Sequence, residues 1–166
     1  RDVVLPTRVP NLFFIPADID LAGAEVEIAR QDDHSHQLGR ILQPLRDENW
    51  CPYIFLDCPP SLGILMTNAL AAADEILVPI QAEYLALEGL TKILQVVEQI
   101  RASDINPALR LAGILLTMLD QRTSLCRQVA SDVRQHFQDL TYETMIPRTI
   151  RLAEAPGFGR TAEEHD

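Results

Sequence analysis

Short apolar runs alternate with amphipathic stretches along the whole chain, the pattern of an α/β domain. Residues 11–15 read as a buried strand. Asp18 or Asp20 is placed to cap a helix running to about Ala29, with Leu21, Ala24 and Ile28 on one face. After a polar break at Asp32-Asp33-His34-Ser35-His36, the spacing of Leu38, Ile41, Leu42 and Leu45 predicts a second helix with a core-facing stripe. Tyr53-Ile54-Phe55-Leu56 reads as a strand ending at Asp57 and stopped by Pro59-Pro60. Leu62, Leu65, Met66, Ala69 and Leu70 form the next helical face, and residues 76–80 another buried strand. The longest helix is predicted over residues 87–100, through Leu90, Ile93, Leu94, Val97 and Ile100. A strand at 111–117, a helix at 125–137 through Val129, Val133 and Phe137, and a strand at 142–146 complete the pattern. The strand runs are continuous rather than alternating in polarity, which predicts a mainly parallel sheet covered on both faces. With no internal repeat and no low-complexity linker, a single domain over residues 1–166 is expected.

Charge and cysteine usage change this picture little. Lys and Arg total 14 against 24 Asp and Glu, a formal net charge of -10. An acidic whole argues against a dedicated DNA coat, which needs a basic surface to neutralise phosphate. It leaves room for a local basic strip, and one occurs late in the chain. Cys51, Cys58 and Cys126 form no C-x-x-C pair and are odd in number, so free buried thiols in a reducing cytoplasm are expected. No apolar run approaches the ~18 residues that span a bilayer, and the start shows no signal-peptide pattern. The first residue is Arg1 rather than Met, so the chain is expected to begin inside a longer protein.

The first residue with candidate chemistry is Asp57. A carboxylate at the carboxyl end of a buried strand in a nucleotide-binding α/β fold faces the crevice where ligands sit. There it can hold the water shell of Mg²⁺, which prefers one or two carboxylates plus phosphates. Strands also end in Asp for turn reasons. The context sharpens the case, because Pro59-Pro60 stiffens the loop directly after the carboxylate. A stiff loop beside a metal–phosphate site can take two arrangements and act as a switch.

The stretch Asp57-Cys58-Pro59-Pro60-Ser61-Leu62-Gly63, with Thr67-Asn68-Ala69-Leu70 close behind, resembles the second nucleotide-contacting region of the ParA/Soj family of DNA-partitioning ATPases. Other blocks follow that family's order. Pro16-Ala17 and Leu21-Ala22-Gly23-Ala24-Glu25 come before it. Pro79-Ile80-Gln81, Glu83-Tyr84 and Ala86-Leu87-Glu88-Gly89-Leu90 come after. Then come Leu116-Thr117-Met118-Leu119-Asp120-Gln121-Arg122-Thr123, Ile146-Pro147-Arg148 and Arg151-Leu152-Ala153-Glu154-Ala155-Pro156. The similarity runs from about Leu12 to Gly159. It implies a doubly wound, mainly parallel α/β fold with helices on both faces, like a P-loop NTPase but incomplete.

The resemblance also implies roles. Asp57 corresponds to the Walker B carboxylate that positions Mg²⁺ through water. Pro59, Pro60 and Ser61 correspond to the loop that answers to the γ-phosphate of ATP. Met118 and Pro147 lie against the adenine, and the Pro147-Arg148 turn closes the base pocket. Arg122, Arg127, Arg148 and Arg151 belong to a basic surface for DNA. Every basic residue from Arg122 to Arg151, histidine aside, is arginine, whose planar fork suits phosphate. The family's cycle implies a homodimer, non-specific DNA, a ParB/Spo0J-type partner and a cytoplasmic, nucleoid-associated protein with no membrane.

Departures from the family pattern set a limit. No G-x-x-x-x-G-K-[ST] run exists, and the only lysine, Lys92, lies in an amphipathic helix with no glycine-rich run before it. The early Asp-x-Asp-Pro block with the family's water-activating aspartate is absent, Gly157 stands where a serine is expected, and the chain stops short of the family's final helix. Hydrolysis of ATP by the family mechanism is therefore not expected of this chain alone, and it holds no catalytic residue of the family. The family's phosphate loop follows an interior strand, so strands that should be covered are expected to be open to pairing with another chain. Two alternatives stay open: a MinD-like positioning ATPase, and a degenerate, non-enzymatic interaction domain. The His34, His36, Asp32 and Asp33 group reads as a solvated turn and helix cap rather than a metal site. Glu83 and Glu88 lack an argued acid–base partner, and Ser61 lacks a histidine.

Overall fold

The computed structural model describes residues 3–48, 50–59, 61–120 and 122–165, with Ala22, Tyr84, Leu85 and Ala86 described by backbone alone. Pro60 lies outside the described residues. Where the sequence leads to an expectation of one domain over 1–166, contacts divide the chain into two compact units, Arg1–Ala69 and Leu70–Asp166.

The first unit is poor in sheet. The buried strand expected at 11–15 shrinks to β2 (Phe13–Phe14), paired antiparallel with β1 (Leu5–Pro6), and both are exposed. A tight turn explains the change. Asn11 sits at φ 62, a conformation Asn tolerates, and Thr7 donates from its backbone and its hydroxyl to the Leu12 carbonyl at 3.1 and 2.9 Å. Phe13 packs on Trp50 with ring centroids 4.4 Å apart. Helix α1 (Leu21–Ile28) starts after Asp20, but the Asp20 side chain makes no cap; Asp18 instead accepts the Asp20 N–H at 3.0 Å.

Helix α2 (Gln37–Asp47) buries Leu42, while Ile41 of the expected stripe is 70% exposed. Ahead of it, Asp33 pairs with His36 Nδ1 at 2.7 Å and with Arg40. These contacts, the His36 hydrogen bond foremost, hold the Asp33 carboxyl below its ordinary value. Helix α3 (Ile64–Ala72) is tied to this region by Asn68, which is buried. Its Nδ2 donates to the His34 carbonyl at 2.7 Å and the Ile64 carbonyl at 3.0 Å, and its Oδ1 accepts the Leu38 N–H at 3.2 Å.

One expectation fails outright. Residues 53–56 form no strand: the segment pairs with no strand among the described residues, and Tyr53 and Phe55 are 77% and 87% exposed. Hydrophobicity marks a segment that gains by burial, yet a strand exists only where a neighbour accepts its backbone donors and acceptors.

The second unit holds the sheet. Strands β3 (Glu75–Gln81), β4 (Arg110–Leu119) and β5 (Thr141–Pro147) lie side by side in that order, all parallel. Helix α4 (Tyr84–Ala102) links β3 to β4, and α5 (Ser124–Phe137) links β4 to β5. Parallel neighbours need such crossovers. The α/β, parallel-sheet class read from the sequence is the class observed. Val78, Ile80, Ile114 and Leu116 from the strands meet Leu90 of α4 and Cys126, Val129, Ala130 and Val133 of α5 in one core. Strand β3 alternates rather than being buried throughout, with Leu77 and Pro79 exposed.

Two features tighten this unit. Gly113 at φ 154 lets β4 approach β5: a Cβ there would stand 2.6 Å from the Tyr142 ring and 2.9 Å from the Leu140 carbonyl oxygen. Asn106 Nδ2 donates to the carbonyls of Leu70, Ala71 and Ala73 at 2.9, 3.3 and 2.8 Å, meeting acceptors left open where α3 ends. Cys126 is buried, Cys51 and Cys58 are half-buried, and all three are free thiols. Among the described residues no helix is long and apolar enough to cross a membrane.

Candidate functional site

Open parallel sheets offer their ligands the edge where the strands end at their carboxyl termini. In the second unit that edge carries Ala82 and Glu83 after β3, Asp120 and Arg122 after β4, and Arg148 after β5. The Met118 backbone stands at φ 54, and its side chain is exposed. A methionine held in the left-handed region is strained by about 1–2 kcal/mol, which points to a local requirement rather than a free turn. Leu119 is the register partner of Pro147, and the Arg148 N–H donates to the Leu119 carbonyl at 3.1 Å. The fold thus brings the end of β4 at Leu119, the residue after Met118, beside the Pro147-Arg148 turn.

The arginines read as a DNA surface are all exposed, but two already have carboxylate partners. Arg122 grips Asp120 with both teeth of its fork, Nε to Oδ1 at 2.9 Å and Nη2 to Oδ2 at 2.8 Å, and its backbone N–H adds a third bond at 3.1 Å. These bonds, with the charge of Arg148 adding to them, bring the Asp120 carboxyl down to about 2. The Asp120 N–H donates to Cys126 Sγ at 3.3 Å, and Thr123 caps α5 by accepting the Cys126 N–H. Arg148 Nη2 faces Glu83, the residue before α4, at 3.7 Å. Arg127 lies in the first turn of α5 and Arg151 in the short helix α6 (Ile150–Glu154). Lys92 pairs with Glu88 at 2.7 Å on the surface of α4, an i,i+4 contact.

In the first unit, Asp57 is exposed on the unpaired segment rather than closing a strand. Burial pushes the neighbouring Cys58 thiol up, and the charge of Asp57 adds to it. Pro59 and Ser61 are exposed, and Pro60 falls outside the described residues. Glu25 reaches this loop: a Cβ on Gly63 would stand 3.2 Å from Glu25 Oε1 and 4.0 Å from Ser61 Oγ. No group of three or more His, Cys, Asp or Glu among the described residues is arranged to hold a metal ion. Sequence reasoning missed the Asp120–Arg122 clamp, although the Asp-x-Arg spacing was legible, and missed Glu83–Arg148, for which no sequence signal exists.

The AAA domain family matches residues 1–111. Chromosome partitioning protein ParA of Caulobacter vibrioides is 45% identical over 165 residues, 99% of this chain and 61% of its own length. Chromosome-partitioning ATPase Soj of Treponema pallidum is 46% identical over 166 residues, 100% of this chain and 64% of its own. The chain belongs to the ParA/Soj family. It spans about three fifths of the length of these curated relatives. A crystal structure of cobyrinic acid a,c-diamide synthase from Mycobacterium smegmatis with bound ADP and magnesium aligns at a TM-score of 0.77 and 32% identity, covering 96% of this chain and 68% of that one. ParA/Soj membership gives the shared order of sequence blocks its explanation.

Proposed function

We propose that the protein acts as a ParA/Soj-type ATPase in DNA partitioning: it binds ATP and Mg²⁺, forms a homodimer, binds DNA without sequence preference and responds to a ParB/Spo0J-type partner. The observation that carries this is the Pro147-Arg148 turn held against Leu119, with the exposed Met118 next to it in sequence, at the carboxyl edge of a parallel sheet. It fits a nucleotide base. Met118 offers a polarizable, exposed thioether for a flat ring, and Pro147 an exposed apolar face.

For the metal, Asp57 is the candidate on sequence motif, held in solvent contact where a carboxylate can orient metal-bound water. The bound ion neutralises phosphate charge, which is the chemistry it adds. Pro59, Pro60 and Ser61 are the proposed γ-phosphate loop, and Glu25 lies close to Gly63, which follows it in sequence. Arg122, Arg127, Arg148 and Arg151 are the proposed DNA surface, in a cytoplasmic, nucleoid-associated protein. Hydrolysis by this chain alone is not proposed, since no glycine-rich G-K-[ST] run occurs in it.

The test is titration with a fluorescent ATP analogue, with and without Mg²⁺. Met118→Glu, which places a charge against the base, is expected to weaken binding at least tenfold in both conditions. Asp57→Asn is expected to lose only the gain that Mg²⁺ confers. Unchanged binding by Met118→Glu, or no nucleotide binding at all, rejects the assignment.

A further inference from the structure

Four charged side chains meet at the carboxyl edge of the sheet, and they come from three different loops. Glu83 follows β3, Asp120 and Arg122 follow β4, and Arg148 follows β5. Their charges sum to zero and alternate in space. Arg122 is locked in a two-toothed pair with Asp120, Arg148 faces Glu83 at 3.7 Å, and the charge of Arg148 also acts on Asp120. The Arg122 side chain is 90% exposed, whereas Asp120 is only 27% exposed and is fixed from below by its N–H bond to Cys126. The carboxylate is thus the rigid partner and the arginine the movable one. Arginine forks bind carboxylate and phosphate with the same planar geometry, so a phosphate competes directly for these donors.

We propose that Asp120 and Glu83 withhold Arg122 and Arg148 from phosphate, so that duplex DNA binds this face only by exchanging those carboxylates for its own phosphates. This rests on the DNA-binding assignment above. It adds a built-in brake, placed one residue from the Met118 and Pro147 surface. Because the Arg148 N–H is bonded to the Leu119 carbonyl, a ligand that moves the Pro147-Arg148 turn also moves the Arg148–Glu83 pair. Occupancy of the base surface and availability of the arginines are coupled through that turn.

The experiment is fluorescence anisotropy with a random-sequence DNA duplex over a range of salt, on the protein and three variants. Asp120→Asn is expected to bind DNA about eightfold more tightly at 0.1 M salt, with log K falling more steeply against log salt by about 0.9, the increment for one added phosphate contact. Adding Arg122→Ala to Asp120→Asn is expected to remove that gain. Far-UV circular dichroism checks that each variant is folded, and Asp120→Glu, which keeps the charge, is expected to behave as the parent. If the parent binds DNA and Asp120→Asn binds no more tightly and with the same salt slope, the brake is wrong and the DNA assignment stands. If the parent does not bind and Asp120→Asn does, the brake is supported in its strongest form. If neither binds, both fall.

Discussion

In the second unit the middle of β4 places Ile114 and Leu116 wholly out of solvent, with β3 and β5 on either side and α4 and α5 over one face. In the first unit the run Tyr53-Ile54-Phe55-Leu56 is also apolar, yet Tyr53, Ile54 and Phe55 stay exposed and the run pairs with no strand among the described residues. The two segments differ less in composition than in company. A strand needs two edges of backbone partners and a covering layer, and only the second unit supplies them to its central strand. The candidate site follows the same division. The edge formed by Leu119 and Pro147-Arg148 is held by ladder register and a hydrogen bond, whereas Asp57 rests on a segment that pairs with no strand among the described residues.

The sharpest test of that contrast compares truncations of two large apolar side chains. Leu116→Ala is expected to cost about 2–5 kcal/mol in chemical denaturation, because it leaves a cavity in a closed core. Phe55→Ala is expected to change stability by less than about 0.5 kcal/mol, as surface substitutions do. A cost of more than about 2 kcal/mol for Phe55→Ala would mean that this segment is covered in solution and that the contrast is wrong. A smaller effect is expected at Gly113. Gly113→Ala adds a Cβ against the Tyr142 ring at a φ that side chains avoid, at a cost of about 1–3 kcal/mol. The double substitution with Tyr142→Ala should recover part of the Gly113→Ala loss if the β4–β5 approach is the cause.

The smallest effect expected is a response to acid, and it is carried by one carboxylate in each unit. Asp120 falls from an ordinary 3.8 to about 2, and Asp33 is lowered in the same direction. A carboxyl with a lowered value in the fold stabilises it fully above the unfolded value and loses that contribution as pH falls through the folded one. Melting temperature measured from neutral pH down through this range should therefore fall less in Asp120→Asn and in Asp33→Asn than in the parent. Both groups are open to solvent, so screening keeps the differences small. Equal slopes in all three proteins would remove the pairs from any role in stability.

Periodicity made much of the second unit legible. The stripes through Leu90, Val97 and Ile100, and through Val129 and Val133, mark α4 and α5, and the runs at 76–80, 111–117 and 142–146 fall inside β3, β4 and β5. Local spacing suffices there because each amphipathic face meets a matching layer. The same rule misled at residues 11–15 and 53–56, where an apolar run lacked a partner or turned sharply at Asn11. At the site, residue types and their order carried the ParA/Soj resemblance, yet they could not show that Arg122 and Arg148 are held by Asp120 and Glu83.

The amino-acid order by itself determined the family and the α/β class. Tertiary structure alone decided which apolar runs became strands, that Leu119 stands against Pro147, and which carboxylates Arg122 and Arg148 face. The physical reason is range. Helix periodicity and turn chemistry act over a few residues, while ladder pairing and ion pairing join positions dozens apart, and those energies exist only once the chain has brought the partners together.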